Sequence, residues 1–161
     1  MKKSITVFLL MVIGAGCSLG QTTTYYVAAT GGSDAAAGTE AAPFATVEKG
    51  VQTAQDGDTV VLLAGTHTLA TVGNWLLIDK AITVRGHGAT AAAAGVQPNT
   101  STGIHRFFCV SNALARVADL TFTGAAMTSD DKTSTYRQSP FYLWDGVLTN
   151  CVIRNNSQAN T

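Results

Sequence analysis

Short apolar runs that end at a glycine or an asparagine recur along this sequence and constrain its fold more than any other feature. Alternate positions in each run are apolar, which indicates strands with one face on a core. Glycine and asparagine tolerate the left-handed backbone of a sharp corner, so each strand should end in a tight turn. Four such runs superpose without gaps: "TVVLLAGT" (59–66), "AITVRGHG" (81–88), "ADLTFTGA" (118–125) and "TNCVIRNN" (149–156).

This superposition predicts one parallel sheet in which equivalent side chains stack in columns. The closing residues are Gly65, Gly86, Gly124 and Asn155, and their separations are 21, 38 and 31 residues. A minimum spacing with variable additions is typical of a solenoid whose coils carry loops at one corner. The inward positions predicted by the alignment are Val61, Leu63, Ile82, Val84, Leu120, Phe122, Cys151 and Ile153.

Three companion apolar runs lie between these strands: "NWLLID" (74–79), "RFFCVS" (106–111) and "FYLWDG" (141–146). Each precedes a repeat strand by a few residues, so every coil should contain two or three short strands. No helical pattern separates them, which excludes the βαβ units of a doubly wound sheet. The sequence therefore predicts an all-β parallel solenoid.

The first 20 residues have the pattern of a secretory signal peptide. Lys2 and Lys3 precede an apolar stretch over 5–13, and small residues follow. The stretch is shorter than the roughly 20 residues of a membrane-spanning helix. We expect a mature chain that begins at Gln21, exported as a secreted or surface protein. The alternative is a lipid-modified N-terminus at Cys17, although the usual large aliphatic residue three places earlier is missing.

Composition and cysteine positions limit the possible partners, domain number and disulfide pairing of this chain. The chain has 161 residues, a formal net charge of +0 and 12% charged residues, a balance unlike that of nucleic-acid binders, which are basic. The length suits one domain, 21–161, which we expect to be monomeric. Export would permit a disulfide between Cys109 and Cys151, but both lie in apolar runs of different strand classes, which favours two buried thiols.

Residues 25–69 contain a series of short motifs in a fixed order. They are Tyr26-Val27, Gly32-Ser33-Asp34, Gly38-Thr39, Pro43-Phe44-Ala45-Thr46 and Gly57-Asp58-Thr59. This series resembles the N-terminal segment of proteins of the pectin lyase-like superfamily. The resemblance implies a right-handed parallel β-helix and covers nearly all of the mature chain. It does not specify an activity, because the superfamily includes polysaccharide lyases, glycoside hydrolases and proteins without known catalysis.

A short amphipathic helix is predicted over 46–55. Thr46 is a suitable N-cap, and Val47, Val51 and Ala54 fall on one helical face. Such a helix would cover the open end of the first coil, as solenoid ends require. The sequence stops soon after a core strand, at "IRNNSQANT", so we expect the chain to be the N-terminal part of a longer solenoid.

The insert 124–140 contains the residue types that β-elimination on a uronate needs. That reaction requires a base and a cation that neutralises the carboxylate. The catalytic candidates are Lys132 and Arg137, and Asp130 and Asp131 are candidate ligands for a possible calcium ion, although calcium takes 6 to 8 oxygen ligands. No other cofactor is indicated. The alternative interpretation is a solvated polar loop without chemistry.

Aromatic residues inside and outside the insert, together with two basic residues outside it, suggest a sugar site. Tyr136 and Trp144 are the substrate-binding candidates, and Trp75, Phe141 and Tyr142 could extend a stacking platform unless they belong to the core. Lys80 and Arg85 flank a repeat strand and could line a groove for an anionic sugar. The three histidines, His67, His87 and His105, lack metal-ligand spacing, which favours structural roles.

The function expected from these features is that of a secreted β-helix protein that binds or cleaves an acidic polysaccharide. The alternative is a non-catalytic surface repeat protein, such as an adhesin or a cell-wall-associated protein. No nucleic-acid partner and no membrane span are expected.

Overall fold

The computed structural model describes residues 21–72, 74–88, 90–101, 105–127 and 140–158. These residues form short strands and one short helix, which agrees with the all-β prediction. The strands are β1 (Thr24–Val27), β2 (Thr59–Leu62), β3 (Gly65–Thr68), β4 (Leu76–Ile78), β5 (Thr83–Gly86), β6 (Ala94–Gln97), β7 (Phe108–Val110), β8 (Arg116–Ala118), β9 (Thr121–Phe122), β10 (Ala126–Met127), β11 (Tyr142–Leu143), β12 (Val147–Thr149), β13 (Val152–Ile153) and β14 (Ser157–Gln158), and the helix α1 is Val47–Thr53.

The strands form a parallel β-solenoid of about four turns. Sheet A has the order β1-β2-β5-β8-β12, sheet B has β13-β9-β6-β3, sheet C has β11-β7-β4, and β10 pairs with β14. Every pairing among these strands is parallel. Each coil therefore stacks on the preceding one, as the repeat pattern predicts. The three companion runs are confirmed as the strands of sheet C.

The core lies inside the coil and consists of aliphatic and phenylalanine side chains. Phe107, Phe108 and Phe122 are fully buried. Phe122 meets Phe107 and Phe108 edge-on, with ring centroids 5.3 and 5.4 Å apart. Phe141 of the next coil joins this cluster at 5.3 Å from Phe122. Such edge-to-face pairs add stabilisation beyond the apolar area that they bury.

The predicted alignment of the four repeat runs is wrong at two of its three steps. Runs 59–66 and 81–88 contribute β2 and β5 to sheet A, whereas runs 118–125 and 149–156 contribute β9 and β13 to sheet B. The predicted single sheet is thus two sheets. The equivalent core positions of sheet A are Val60, Val84, Val117 and Leu148, which are 24, 33 and 31 residues apart. Only the last step, which pairs Phe122 with Ile153, has the predicted register.

The inward face of β2 also differs from the prediction. Val60 and Leu62 belong to the core cluster. Val61 and Leu63, which were predicted to point inward, therefore lie on the opposite face of the strand. Val61 is nevertheless buried and Leu63 is half-buried. All four residues of the run Val-Val-Leu-Leu are apolar, so the sequence has no apolar–polar alternation that would show which face of the strand is buried. A shift of one residue reverses every side chain of a strand.

The other predicted inward positions are buried in the earlier coils and partly or largely exposed in the last one. Ile82, Val84, Leu120 and Phe122 are buried, as expected. Cys151 is half-buried against the core, and Ile153 is 55% exposed, which contradicts the prediction for that residue. The cause is that β13 has a strand neighbour on one side only within the described part of the chain.

The turns at the coil corners use left-handed backbone at three of the four predicted positions. Gly65, Gly124 and Asn155 have φ of 128°, 83° and 55°. Gly86 is different: its φ is not positive, and a Cβ there would overlap the carbonyl oxygen of Asp119 on the next coil. This glycine is required by the close stacking of successive coils and not by backbone handedness.

The motif series near the N-terminus is held together by Asp34. Its carboxylate accepts hydrogen bonds from the N–H groups of Ala45 and Thr46, both at 2.9 Å, and from the Thr46 hydroxyl at 2.8 Å. Burial raises the pKa of this carboxyl, but these hydrogen bonds outweigh burial, and the pKa is lower than usual. The Gly-Ser-Asp turn and the Pro-Phe-Ala-Thr segment are therefore two halves of one hydrogen-bonded unit.

Helix α1 begins where the sequence predicts. The Thr46 hydroxyl accepts a hydrogen bond from the Lys49 N–H at 3.2 Å, which confirms the N-cap. Val47 and Val51 are buried in the core cluster together with Ala54. Gly50 is buried as well, and a Cβ there would lie 2.8 Å from Val60 Cγ1. Glycine allows the helix to approach β2 more closely than a larger residue would.

Candidate functional site

An aromatic cluster lies on the outer face of sheet C. The rings of Trp75 and Tyr142 are 5.8 Å apart at an angle of 48°, and those of Tyr142 and Trp144 are 5.6 Å apart and nearly perpendicular. Trp144 is 70% exposed, whereas Trp75 and Tyr142 are half-buried. We call these three side chains, together with Arg106, the aromatic platform.

The platform arises because the strands of sheet C stack in register. Leu77 pairs with Cys109, and Cys109 pairs with Tyr142. The neighbours of these residues on β4 and β7 point into the core, so alternation directs this ladder outward. Trp75 precedes β4 and Trp144 follows β11. Residues that are 69 positions apart in the chain thus share one surface.

Arg106 completes the platform and supplies its charge. Its guanidinium carbon lies 4.0 Å from the centre of the Trp75 ring, which is a close cation–π contact. A guanidinium that stacks through its face keeps its N–H groups in its own plane, where they can meet a carboxylate. Sequence reasoning missed this residue, although it stands directly before the apolar run of β7, one coil after Trp75.

The site residues predicted from the sequence do not all lie in the platform. Trp144 does, whereas its predicted companion Tyr136 lies outside the described residues. So do the catalytic candidates Lys132 and Arg137 and the calcium candidates, Asp130 and Asp131. Phe141, which the sequence offered as a platform member, packs against the core instead.

Of the two basic residues proposed to line a groove for an anionic sugar, Lys80 does line a groove, which it shares with Glu48 and Asp79, but its ammonium is hydrogen-bonded to the backbone. Lys80 Nζ donates hydrogen bonds to the carbonyl oxygens of Val51, Gln52 and Ala54, at 2.6, 3.1 and 2.5 Å. It thereby satisfies carbonyls at the C-terminal end of α1, which otherwise lack partners. Arg85 donates to the carbonyl of the adjacent Gly86 at 3.1 Å.

The histidines occupy separate structural positions. His67 is buried, and its Nε2 lies 2.8 Å from the Leu63 carbonyl oxygen. His105 Nδ1 accepts a hydrogen bond from the Ala126 N–H at 3.0 Å, and His87 is an exposed neighbour of Glu40. Within the described ranges, no group of three or more His, Cys, Asp or Glu side chains could hold a metal ion.

His67 should make stability fall on mild acidification. Burial lowers its pKa from the usual 6.5, against the opposing effect of its backbone hydrogen bond. The unfolded chain then binds the proton more readily, so stability is complete above pH 6.5 and declines as pH falls from 6.5 toward the lowered pKa. Urea unfolding at pH 7.5 and 5.5 should show this decline, and His67→Leu should reduce it. An unchanged pH dependence in His67→Leu would assign the effect to other groups.

The two cysteines of the described chain are not bridged. Cys109 and Cys151 are both half-buried free thiols, in sheet C and next to β13 respectively, which agrees with the prediction of separate strand classes. Burial raises the pKa of each thiol. A raised pKa lowers the thiolate fraction at neutral pH, and these groups are therefore poor nucleophiles.

Comparisons with known proteins add no family to this fold. No family model matches the chain, and neither a curated protein nor a solved structure is significantly similar to it. Among the described residues, no helix has the length and apolar character needed to cross a bilayer. The fold defines the protein as a parallel β-solenoid, and its function must be argued from the site.

Proposed function

We propose that this protein is a secreted polysaccharide-binding β-solenoid that holds an acidic polysaccharide on the aromatic platform. The observation that carries the proposal is the contiguous surface of Trp75, Tyr142 and Trp144 with Arg106 stacked on it. Pyranose rings have apolar C–H faces, which pack against aromatic rings while their hydroxyl groups stay hydrated. Small-molecule sites in general are lined by apolar and aromatic side chains with a few placed polar groups.

Arg106 directs the proposal toward acidic sugars. A uronate carries one carboxylate on each ring, and arginine recognises carboxylates by charge and by paired hydrogen bonds. A guanidinium placed over an indole therefore offers, side by side, the two features that a uronate presents. A neutral polysaccharide would use the rings alone and bind less tightly.

We also propose that the coil is right-handed and of the pectin lyase-like type, with α1 as the lid of its first coil.

We propose further that residues 1–20 are a signal peptide that directs export of the protein. The mass of the exported protein tests that part, because cleavage before Gln21 and lipid attachment at Cys17 give different masses. Retention of the complete N-terminus would contradict export by this signal.

Binding can be measured by tryptophan fluorescence. Trp75 and Trp144 are the two tryptophans of the whole chain, and both belong to the platform. Titration with polygalacturonate should change their emission and saturate. Fully methyl-esterified pectin has the same rings without the charge, and it should bind about tenfold more weakly, a difference of about 1.4 kcal/mol.

Variants locate the binding surface. Trp144→Ala should weaken polygalacturonate binding about tenfold in calorimetry, because one exposed aromatic stack contributes about 1.5 kcal/mol. Arg106→Gln should remove the preference for the charged polymer. Val152→Ala, an exposed apolar change on sheet B, is the control and should leave affinity unchanged. Equal affinity in Trp144→Ala and the control would contradict binding at the platform.

Cleavage is a separate question, and an absorbance assay for the unsaturated product of β-elimination tests it with and without calcium. If binding is the activity, no product should form. Product formation that is lost in Lys132→Ala or Arg137→Ala would make the protein a lyase. Binding without any turnover is also what an adhesin or a cell-wall-associated protein would show.

A further inference from the structure

A groove of about 560 Å³ lies between α1 and the free edge of β4. Each later coil adds a strand to sheet C, but the chain between β1 and β2 contains α1 and no strand of that sheet. Sheet C therefore begins at β4, and the groove lies where a preceding strand would be. Val51 and Leu76 are its most buried lining residues and form the floor, and Gln52 and Leu77 line opposite sides.

The edge of β4 that borders the groove has a backbone donor and a backbone acceptor to offer. The Leu76 N–H donates to the Phe107 carbonyl at 2.8 Å, and the Ile78 carbonyl accepts from the Ser111 N–H at 3.0 Å. Both residues thus bond toward β7. In a parallel ladder the residue between them, Leu77, directs its N–H and C=O to the opposite edge. No described strand pairs with β4 on that edge, and no described residue bonds to these two groups there.

These two groups and the position of α1 determine the shape of the occupant. An extended chain offers C=O and N–H groups along one edge at the spacing that the backbone of Leu77 requires. A second solenoid cannot bring the edge of its own sheet to β4, because α1 stands on the far side of the groove. The occupant that fits is therefore a single separate strand.

The charged side chains around the groove favour a strand without charge. Glu48 and Asp79 are negative and Lys80 is positive, so a ligand charge of either sign would face a group of its own sign. Lys80 and Glu48 are also engaged already. The ammonium of Lys80 donates to three carbonyls at the end of α1, and Glu48 Oε1 accepts from the N–H and hydroxyl of Thr71.

We propose that the groove binds an uncharged, extended segment of a partner protein, which joins sheet C as a strand parallel to β4. One residue of the segment lies opposite Leu77. The residue before it accepts from the Leu77 N–H, and the residue after it donates to the Leu77 carbonyl. Because side chains alternate along a strand, these two residues direct apolar side chains to the floor formed by Val51 and Leu76. The inference does not depend on the function proposed for the platform.

Hydrogen exchange at one amide tests the inference directly. The probe is the peptide acetyl-Ser-Val-Thr-Val-Ser-amide, added to the full chain and followed by nitrogen-15 NMR. The Leu77 amide should exchange at least about tenfold more slowly in the saturated complex, because it gains a hydrogen bond. The Leu76 amide, which is already bonded to Phe107, should change little. A bound peptide that leaves exchange at Leu77 unchanged, or the absence of saturable binding, would overturn the inference.

Charged versions of the probe test the selectivity of the groove. Peptides in which both valines are replaced by aspartate, or both by lysine, should bind about tenfold more weakly than the parent peptide in calorimetry. Equal affinity for the neutral peptide and for either charged peptide would contradict an uncharged occupant.

A backbone variant assigns the binding to the edge of β4. Leu77→Pro removes the N–H that the added strand needs and leaves the bonds from β4 to β7 in place, since proline is tolerated at edge strands. It should weaken peptide binding about tenfold. Leu77→Ala is the matched control, because it keeps the N–H, and its affinity should stay within about threefold of the parent.

A second variant fills the groove if the thermal midpoint shows that Leu77→Pro does not fold. Gln52 is exposed and lines the groove, so Gln52→Phe places a large ring where the strand would lie. It should also weaken peptide binding about tenfold, through a steric clash. Unchanged affinity in a folded Leu77→Pro, or in Gln52→Phe where that variant serves, would overturn the assignment to this groove.

Discussion

Val51→Asp should lower the free energy of unfolding by about 3–5 kcal/mol, because it places an unpaired charge against the core. Val51 is 3% exposed and belongs to the core cluster. At 3% exposure, a carboxylate at this position would lose most of its hydration. Urea unfolding followed by circular dichroism would measure the loss.

Gln52→Asp is the control for this change. Gln52 is the next residue of α1 and is exposed, so the variant adds a negative charge to the same helix without burying it. Its unfolding midpoint should remain within about 0.5 kcal/mol of the parent in free-energy terms. Equal midpoints for the two variants would mean that α1 does not cover the core, and the proposed lid would be wrong.

Phe122→Ala should lower the free energy of unfolding by about 3–5 kcal/mol as well. Phe122 is fully buried, and its ring meets those of Phe107, Phe108 and Phe141 from three sides. Removing it leaves a cavity that neighbouring strands cannot close, because each is fixed in a parallel ladder. Denaturant unfolding or the shift of the thermal midpoint would measure the effect.

Ile153→Ala is the matched control, because Ile153 pairs with Phe122 in register one coil later. Its side chain is 55% exposed, so its truncation should cost less than about 1 kcal/mol. The two positions are equivalent in the repeat and differ in burial. Similar losses for both variants would contradict the described core.

The repeat strands and the strands of sheet C could be predicted from the sequence, but most of the register of the repeat strands could not. Alternation and turn residues located the repeat runs and the companion strands of sheet C. The run at 60–63 is apolar at every position, so it allowed two registers. The sequence alignment took the one that placed Gly65 opposite Gly86. The structure pairs Gly86 with Leu62 instead, because a coil can gain residues at any of its corners.

The N-terminal motifs were interpreted more successfully, since their contacts are local. Thr46 caps α1 as predicted, and Asp34 binds the backbone only 11 and 12 residues away. Local hydrogen bonds of this kind leave a signature in sequence spacing. The partners of Lys80 lie 26 to 29 residues away, and no spacing rule connects a lysine after a strand to carbonyls of an earlier helix.

The candidate site was predicted only in part for the same reason. Trp144 was chosen for its aromatic character, and Trp75 and Tyr142 were considered with it. Their proximity depends on stacking across three coils, which requires the register of sheet C. Arg106 carried no signal of its own until that register placed it over Trp75.

The most direct test of the central proposal is a nitrogen-15 NMR titration that follows the indole N–H signals with a short oligogalacturonate. The chain has two tryptophans, so two indole signals report on the platform without ambiguity. The proposal predicts that both the Trp75 and the Trp144 signals shift and saturate together, and that Arg106→Gln weakens the response. Two indole signals that stay unchanged while the sugar binds elsewhere, or no binding at all, would contradict it.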